Sequence, residues 1–167
     1  MSLYLVLKYL HVIGATVLLG TGSGIAFFML MAHLGGNVKV IAGVARIVVI
    51  ADFLFTATAV VLQPVTGVLL AREMGYSLLD GWLLLSILLY VFTGAFWLPV
   101  VWMQMRMRDI AVAAARAGTE LPHLYNRLFW VWFAFGFPAF GAVLAILWLM
   151  IARPVIEIWP LSFHAAP

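Results

Sequence analysis

Apolar residues run along this chain in four long blocks, separated by short stretches where charge, Gly, Asn or Pro gathers. The blocks cover about 3–33, 44–70, 80–117 and 122–152, and each exceeds the roughly 20 residues that a helix needs to cross a bilayer. None alternates like a barrel strand, and backbone polar groups in lipid must be satisfied within the segment. The pattern therefore predicts an all-α fold: an integral membrane four-helix bundle forming a single transmembrane domain over 1–167. The first block is read as a retained helix, being too long for a cleaved signal and lacking a small-residue cleavage site.

The third helix is expected to continue past the membrane, because Met105 to Ala117 holds no breaker and is rich in Ala, Arg and Met. Gly118 is the expected stop, and Pro122 suits the start of the fourth helix. Pro64, Pro99 and Pro138 fall inside the second, third and fourth blocks. Each removes one backbone donor, frees a carbonyl one turn back for a neighbour or a water, and tends to kink its helix.

Composition fixes the solvent. The chain is 66% hydrophobic and only 9% charged, with mean hydropathy +1.17, against roughly 25% charged residues in an ordinary soluble domain. Cysteine is absent, which excludes thiolate metal sites, iron–sulfur clusters, disulfides and cysteine nucleophiles. No phosphate-cradling loop, HExxH or GxSxG is present. The cations lie in loops and helix ends, a pattern that suits lipid headgroups and not nucleic acid.

Their distribution also orients the chain. Lys39, Arg46, Arg106, Arg108, Arg116 and Arg127 gather at the connections between the first and second and between the third and fourth helices, against Lys8, Arg72 and Arg153 on the other side. The positive-inside rule then predicts both termini on the outer side, with the third helix extended into the cytoplasm. His11 would lie near the outer surface and His33 near the inner one.

Candidate chemistry starts at Lys8 and His11, a cation and an imidazole three residues apart on one helix face inside an apolar run. His11 has two readings, a histidine hydrogen-bonded to another helix or an axial ligand to a heme iron or other metal. Lys8 could snorkel to headgroups or pair with a propionate or anionic substrate. Gly22 falls within about 20° of the His11 direction and would open a gap for a flat ring or a helix. Gln63 lies at a depth from which it could hydrogen-bond the imidazole. Asp52 could pair with Arg46 or Arg127, or relay protons. His33 and His123, both at the inner boundary, could approach each other in a second metal site. His33 stands roughly 33 Å from His11 at 1.5 Å per residue, so the two cannot share a ligand. Gly20 and Gly24 form a GxxxG pair, extended by Thr16, that reads as close helix packing. The tryptophans are expected mostly in the interfacial belts, with Trp97 deeper.

Across nearly its whole length the chain resembles a family of predicted bacterial integral membrane proteins with a domain of unknown function, through LKYLHVIGA, LQPVTG, WLPVVWMQMRMRD and the closing WLMIARP. More distantly it resembles the four-helix, heme-binding protoporphyrinogen oxidase family of bacteria and the copper-resistance membrane proteins. The oxidase resemblance rests on Lys8, His11 and, with a one-residue offset, His33, and on Tyr125, Arg127, Arg153 and Pro154. The lysine and histidine which that family carries on its third helix are replaced here by the stretches around Trp82 to Ser86 and Trp97 to Pro99. The resemblance thus implies the fold and a b-type heme near His11, and does not extend to protoporphyrinogen oxidation.

Two functions remain open at this point. One is a redox protein with heme b on His11, exchanging electrons with quinone, porphyrin or a partner oxidoreductase. Its second axial ligand would be His164, a methionine, or His11 of a second copy in a homodimer. The other is a membrane module without heme: a scaffold, an assembly partner in a larger membrane complex, or a carrier of a metal or small molecule, with Lys8 and His11 in a polar contact between helices.

Overall fold

The computed structural model describes residues 2–156. Four helices are long and apolar enough to cross a membrane: Leu3–Gly35, Val38–Glu73, Gly81–Ala117 and His123–Ala152. His164, a candidate axial ligand, and Trp159 lie outside the described residues. Large apolar side chains such as Phe28, Ile47, Val61, Leu98 and Phe137 are exposed around the bundle, as expected of a surface bathed in acyl chains rather than water.

Local signals explain the helix ends. Gly36 adopts φ 67° and its N–H bonds His33 O, closing the first helix two residues beyond the expected His33. The second helix starts at Val38, not Val44, because the Asn37 side chain accepts from the N–H groups of Lys39 (3.0 Å) and Val40 (3.3 Å). The apolar stretch alone hides that cap. The third helix runs unbroken to Ala117 and stops at Gly118, φ 66°, as the sequence indicates. At 37 residues it is about 55 Å long, well beyond a hydrocarbon core of roughly 30 Å.

The second helix departs from the expected pattern at Asp52–Thr56, a π-helical turn. Such a turn acts as a one-residue insertion and rotates everything after it by roughly a quarter turn relative to an uninterrupted α-helix. Asp52 and Gln63, 11 positions apart, would otherwise face nearly the same way. The turn separates the two directions.

Packing divides the bundle into two halves. Near the two tight connections all four helices share one core, in which Met29, Ile41, Met107, Tyr125 and Phe129 are almost fully buried. Ala42, Ala45 and Ala111 let the second and third helices come close there. In the other half, toward the termini, the first helix lies along Ala57–Glu73 and the third along the fourth. Among the described residues the backbone of Ala57–Glu73 stays apart from that second pair.

One bridge across this gap follows from Pro64. A proline has no N–H for the carbonyl four residues back, here Val60. The Tyr90 hydroxyl of the third helix donates to Val60 O.

Tyr90→Phe should therefore leave a carbonyl without a donor and lower stability by about 1 kcal/mol. In a Pro64→Ala background, where an N–H is restored to Val60 O, the same change should cost clearly less. Thermal unfolding of the four proteins in detergent, followed by circular dichroism, measures this; equal losses in both backgrounds would refute the bridge.

Candidate functional site

The first helix presents LKYLHVIGA to LQPVTG of the second. His11 Nδ1 lies 2.9 Å from Thr66 Oγ1, and Gln63 Nε2 donates to the His11 backbone oxygen at 2.8 Å. Thr66 Oγ1 in turn donates to Leu62 O at 2.7 Å, the helical back-bond open to a threonine. A hydroxyl has one proton. With that proton on Leu62, Thr66 accepts from the ring, an assignment that puts the His11 hydrogen on Nδ1 and its lone pair on Nε2.

Two glycines make this approach feasible. A Cβ on Gly14 would collide with the buried Gln63 amide, and one on Gly67 would stand 3.2 Å from His11 Cε1. Thr66, Gly14 and Gly67 were not singled out from the sequence. Thr66 follows Gln63 by three positions, which places both on one helix face, and that spacing was the available signal.

The residues that the sequence singled out are placed differently. Gln63 does meet His11, through the backbone carbonyl rather than the imidazole. Lys8 is exposed, with Nζ 3.1 Å from Tyr4 OH and 5.4 Å from the centre of that ring, which agrees with a snorkelling side chain. Gly22 is exposed and a Cβ there would meet nothing within 4 Å, so the gap at His11 comes from Gly67 and not from Gly22. Gly20 is equally open, and Gly24 nears only Phe28 of its own helix; the GxxxG row packs on no other helix of the described chain.

His33 stacks on Phe129 with centroids 3.7 Å apart and planes at 10°, and faces Tyr125 at 6.0 Å. His123 is exposed at the first residue of the fourth helix. Two positions before Tyr125, it lies about 160° around the axis from the face that His33 meets. The two imidazoles therefore do not converge, and no group of three metal-ligating side chains occurs among the described residues.

A second polar cluster lies deeper. Asp52 is buried, and Trp97 Nε1 donates to its Oδ1 at 3.4 Å. With the Gln104 amide turned to suit its neighbours, its nitrogen donates to Asp52 Oδ2 at 3.1 Å and its oxygen accepts from Trp132 Nε1 at 3.3 Å. The expected pairing with Arg46 or Arg127 does not occur. Both arginines are exposed, and the one ion pair among the described residues joins Arg108 to Asp109. Trp97 is half-buried, while Trp132 is buried and belongs to this cluster instead of an interfacial belt.

The chain belongs to the family described as predicted integral membrane protein (DUF2269), whose model matches residues 5–154. No curated protein and no solved structure matches it. The matched span takes in both polar clusters.

Gly14→Ala should drive a methyl into the Gln63 amide and cost about 1–3 kcal/mol. Gly22→Ala meets open space and should be neutral, or stabilising by up to about 1 kcal/mol through helix propensity. Chemical unfolding in detergent micelles ranks the two, and a Gly14→Ala protein as stable as the parent would contradict the Gln63 contact.

Proposed function

We propose that this membrane protein binds heme b through His11 and serves a redox or electron-transfer role with quinone, porphyrin or a partner oxidoreductase. The observation that carries this reading is the hydrogen bond between His11 Nδ1 and Thr66 Oγ1, 2.9 Å long. Thr66 takes the Nδ1–H, fixing the ring, and leaves Nε2 as an unprotonated donor on a partly exposed imidazole. An imidazole that serves a metal usually has its other nitrogen held this way, which sets its orientation. The bound group would supply one-electron chemistry. His11 would hold the iron, Thr66 would orient the ring, and exposed Lys8, one turn away, is available to an anionic substituent.

His11, oriented by Thr66, would supply one ligand to the iron. Among the described residues no second imidazole lies in the half of the bundle near the termini, since His33 and His123 are at the other end. A bis-histidine site would draw on His11 of a second copy or on His164. In this reading the chain sits in the bacterial inner membrane with both termini outward, because six cations gather at the other end. His11 is then close to the periplasmic surface.

A second reading rests on a different feature of the same contact. Both the ring and the carbonyl of His11 are already hydrogen-bonded across to the second helix, which by itself suits a scaffold or assembly partner without heme.

The absorption spectrum of protein produced with ample heme separates the two. The redox reading expects a Soret band, its loss in His11→Ala, and about 10–100-fold weaker hemin binding in Thr66→Val. A colourless preparation that gives no spectral change on hemin titration would leave the scaffold.

A further inference from the structure

Only one titratable side chain lies in the middle of the four helices. Stretches 12–32, 47–71, 91–105 and 128–152 contain no Asp, Glu, His, Lys, Arg or Tyr other than Asp52. The nearest such groups are His11 and His33 on the first helix, Arg46 and Arg72 on the second, Tyr90 and Arg106 on the third, and Arg127 and Arg153 on the fourth. None of them bonds to Asp52: its polar neighbours are Trp97, Gln104 and the Thr56 hydroxyl.

We infer that Asp52 is a proton-binding site within the membrane, its carboxyl taking up and releasing one proton inside a cage of neutral side chains. A carboxyl in hydrocarbon without a counter-charge must have its charge met by neighbouring donors or be neutralised by a proton. The neighbours serve both states. For the ionised form, Trp97 and Gln104 each offer one N–H, and Trp132 holds Gln104 in place from the fourth helix. For the acid form, the O–H needs an acceptor. Thr56, four positions on in the same turn, has a buried Oγ1 with no hydrogen-bond partner among the described residues. Its hydroxyl can accept from the acid or donate to the carboxylate.

The backbone supplies an independent observation. Asp52 opens the π-helical turn, and the N–H of Ala57 bonds to Asp52 O across it. Turns of this kind inside α-helices concentrate at functional positions. A purely structural carboxyl would be better held by an arginine, and Arg46, six residues earlier, is exposed instead. The site is separate from His11, so it stands whether or not heme binds there.

Dicyclohexylcarbodiimide tests the inference, since this hydrophobic reagent adds to protonated carboxyls in membranes. The carboxyl proton passes to a carbodiimide nitrogen, the carboxylate oxygen bonds to the central carbon, and nothing leaves. The full chain in native membranes would be labelled across a pH series with and without sodium, and the adduct mapped by peptide mass spectrometry. Asp52 should carry the label, while exposed Glu73, Asp109 and Glu120 stay unmodified. Above its midpoint the yield should fall about tenfold per pH unit, following the protonated fraction, and sodium should not change it. No adduct at Asp52 at any pH, or a yield independent of pH, would overturn the inference. Protection by sodium at fixed pH would overturn it in favour of a metal-cation site. Asp52→Asn should abolish the pH-dependent part of the tryptophan emission contributed by Trp97, and Asp52→Glu should restore it; a response unchanged in Asp52→Asn would count against Asp52 as the group that titrates.

Discussion

A polar group on a membrane helix must find its partner on another helix, and the second helix here has to meet that demand on two sides. Its π-helical turn at Asp52–Thr56 is what makes this feasible. Before the turn, Asp52 faces Trp97 and Gln104 of the third helix. After it, Gln63 and Thr66 face His11 of the first. An uninterrupted helix would aim Asp52 and Gln63 in nearly the same direction and leave one of the two clusters unmatched. Any change that regularised the turn would rotate the Ala57–Glu73 segment away from the first helix, with the loss of three cross-helix bonds at once: those of Thr66, of Gln63 and of the Val60 carbonyl.

The two halves of the bundle are held by different forces. Lipid tails are as apolar as leucine, so helices in a bilayer associate through close packing and hydrogen bonds rather than by escape from water. Near the tight connections packing dominates, with alanines at the contact of the second and third helices and His33 of the first stacked on Phe129 of the fourth, which stacks in turn on Phe133. Toward the termini the helices stand in pairs, and named side-chain bonds do the joining. Arg153 ends the fourth helix in a left-handed conformation, φ 43°, and reaches Tyr76 OH at 3.0 Å. Tyr90 reaches the Val60 carbonyl. Each of these bonds depends on a backbone feature, a helix end or a proline.

What was legible in the sequence follows from how local each cause is. The number of spanning segments, their hydropathy, the stop at Gly118 and the carbonyl freed by Pro64 depend on neighbours in the chain, and all four are found as read. The faces are different. Gly22 shares a direction with His11 on an ideal helix, yet the close approach is made by Gly14 and Gly67, because which helix lies opposite is decided by the whole bundle. Asp52 suggested an ion pair because arginines flank its helix; the structure gives it neutral partners on two other helices, a choice that depends on an insertion no local signal announces. In hindsight the quoted stretches already contained the answer in fragments. LKYLHVIGA and LQPVTG are the two sides of the His11 contact, WLPVVWMQMRMRD supplies Trp97 and Gln104, and WLMIARP contains the arginine that meets Tyr76.

The His11 contact holds more than helix association requires. The Gln63 amide on the His11 carbonyl already ties the two helices with one buried bond, and Gly14 is the concession that admits it. A glycine inside a helix sacrifices up to about 1 kcal/mol relative to alanine. The second glycine, Gly67, adds nothing to that tie; it clears the space beside Cε1 so that the ring can lie against the second helix with Nδ1 on Thr66. A ring serving only as an interhelical donor could present either nitrogen, and its tautomer would be of no consequence. Here, with the Thr66 hydroxyl proton on Leu62, the ring presents Nδ1–H to Thr66 and its lone pair at Nε2. This is why the assignment of function turns on Thr66 as much as on His11, and why the imidazole and the hydroxyl are best perturbed separately.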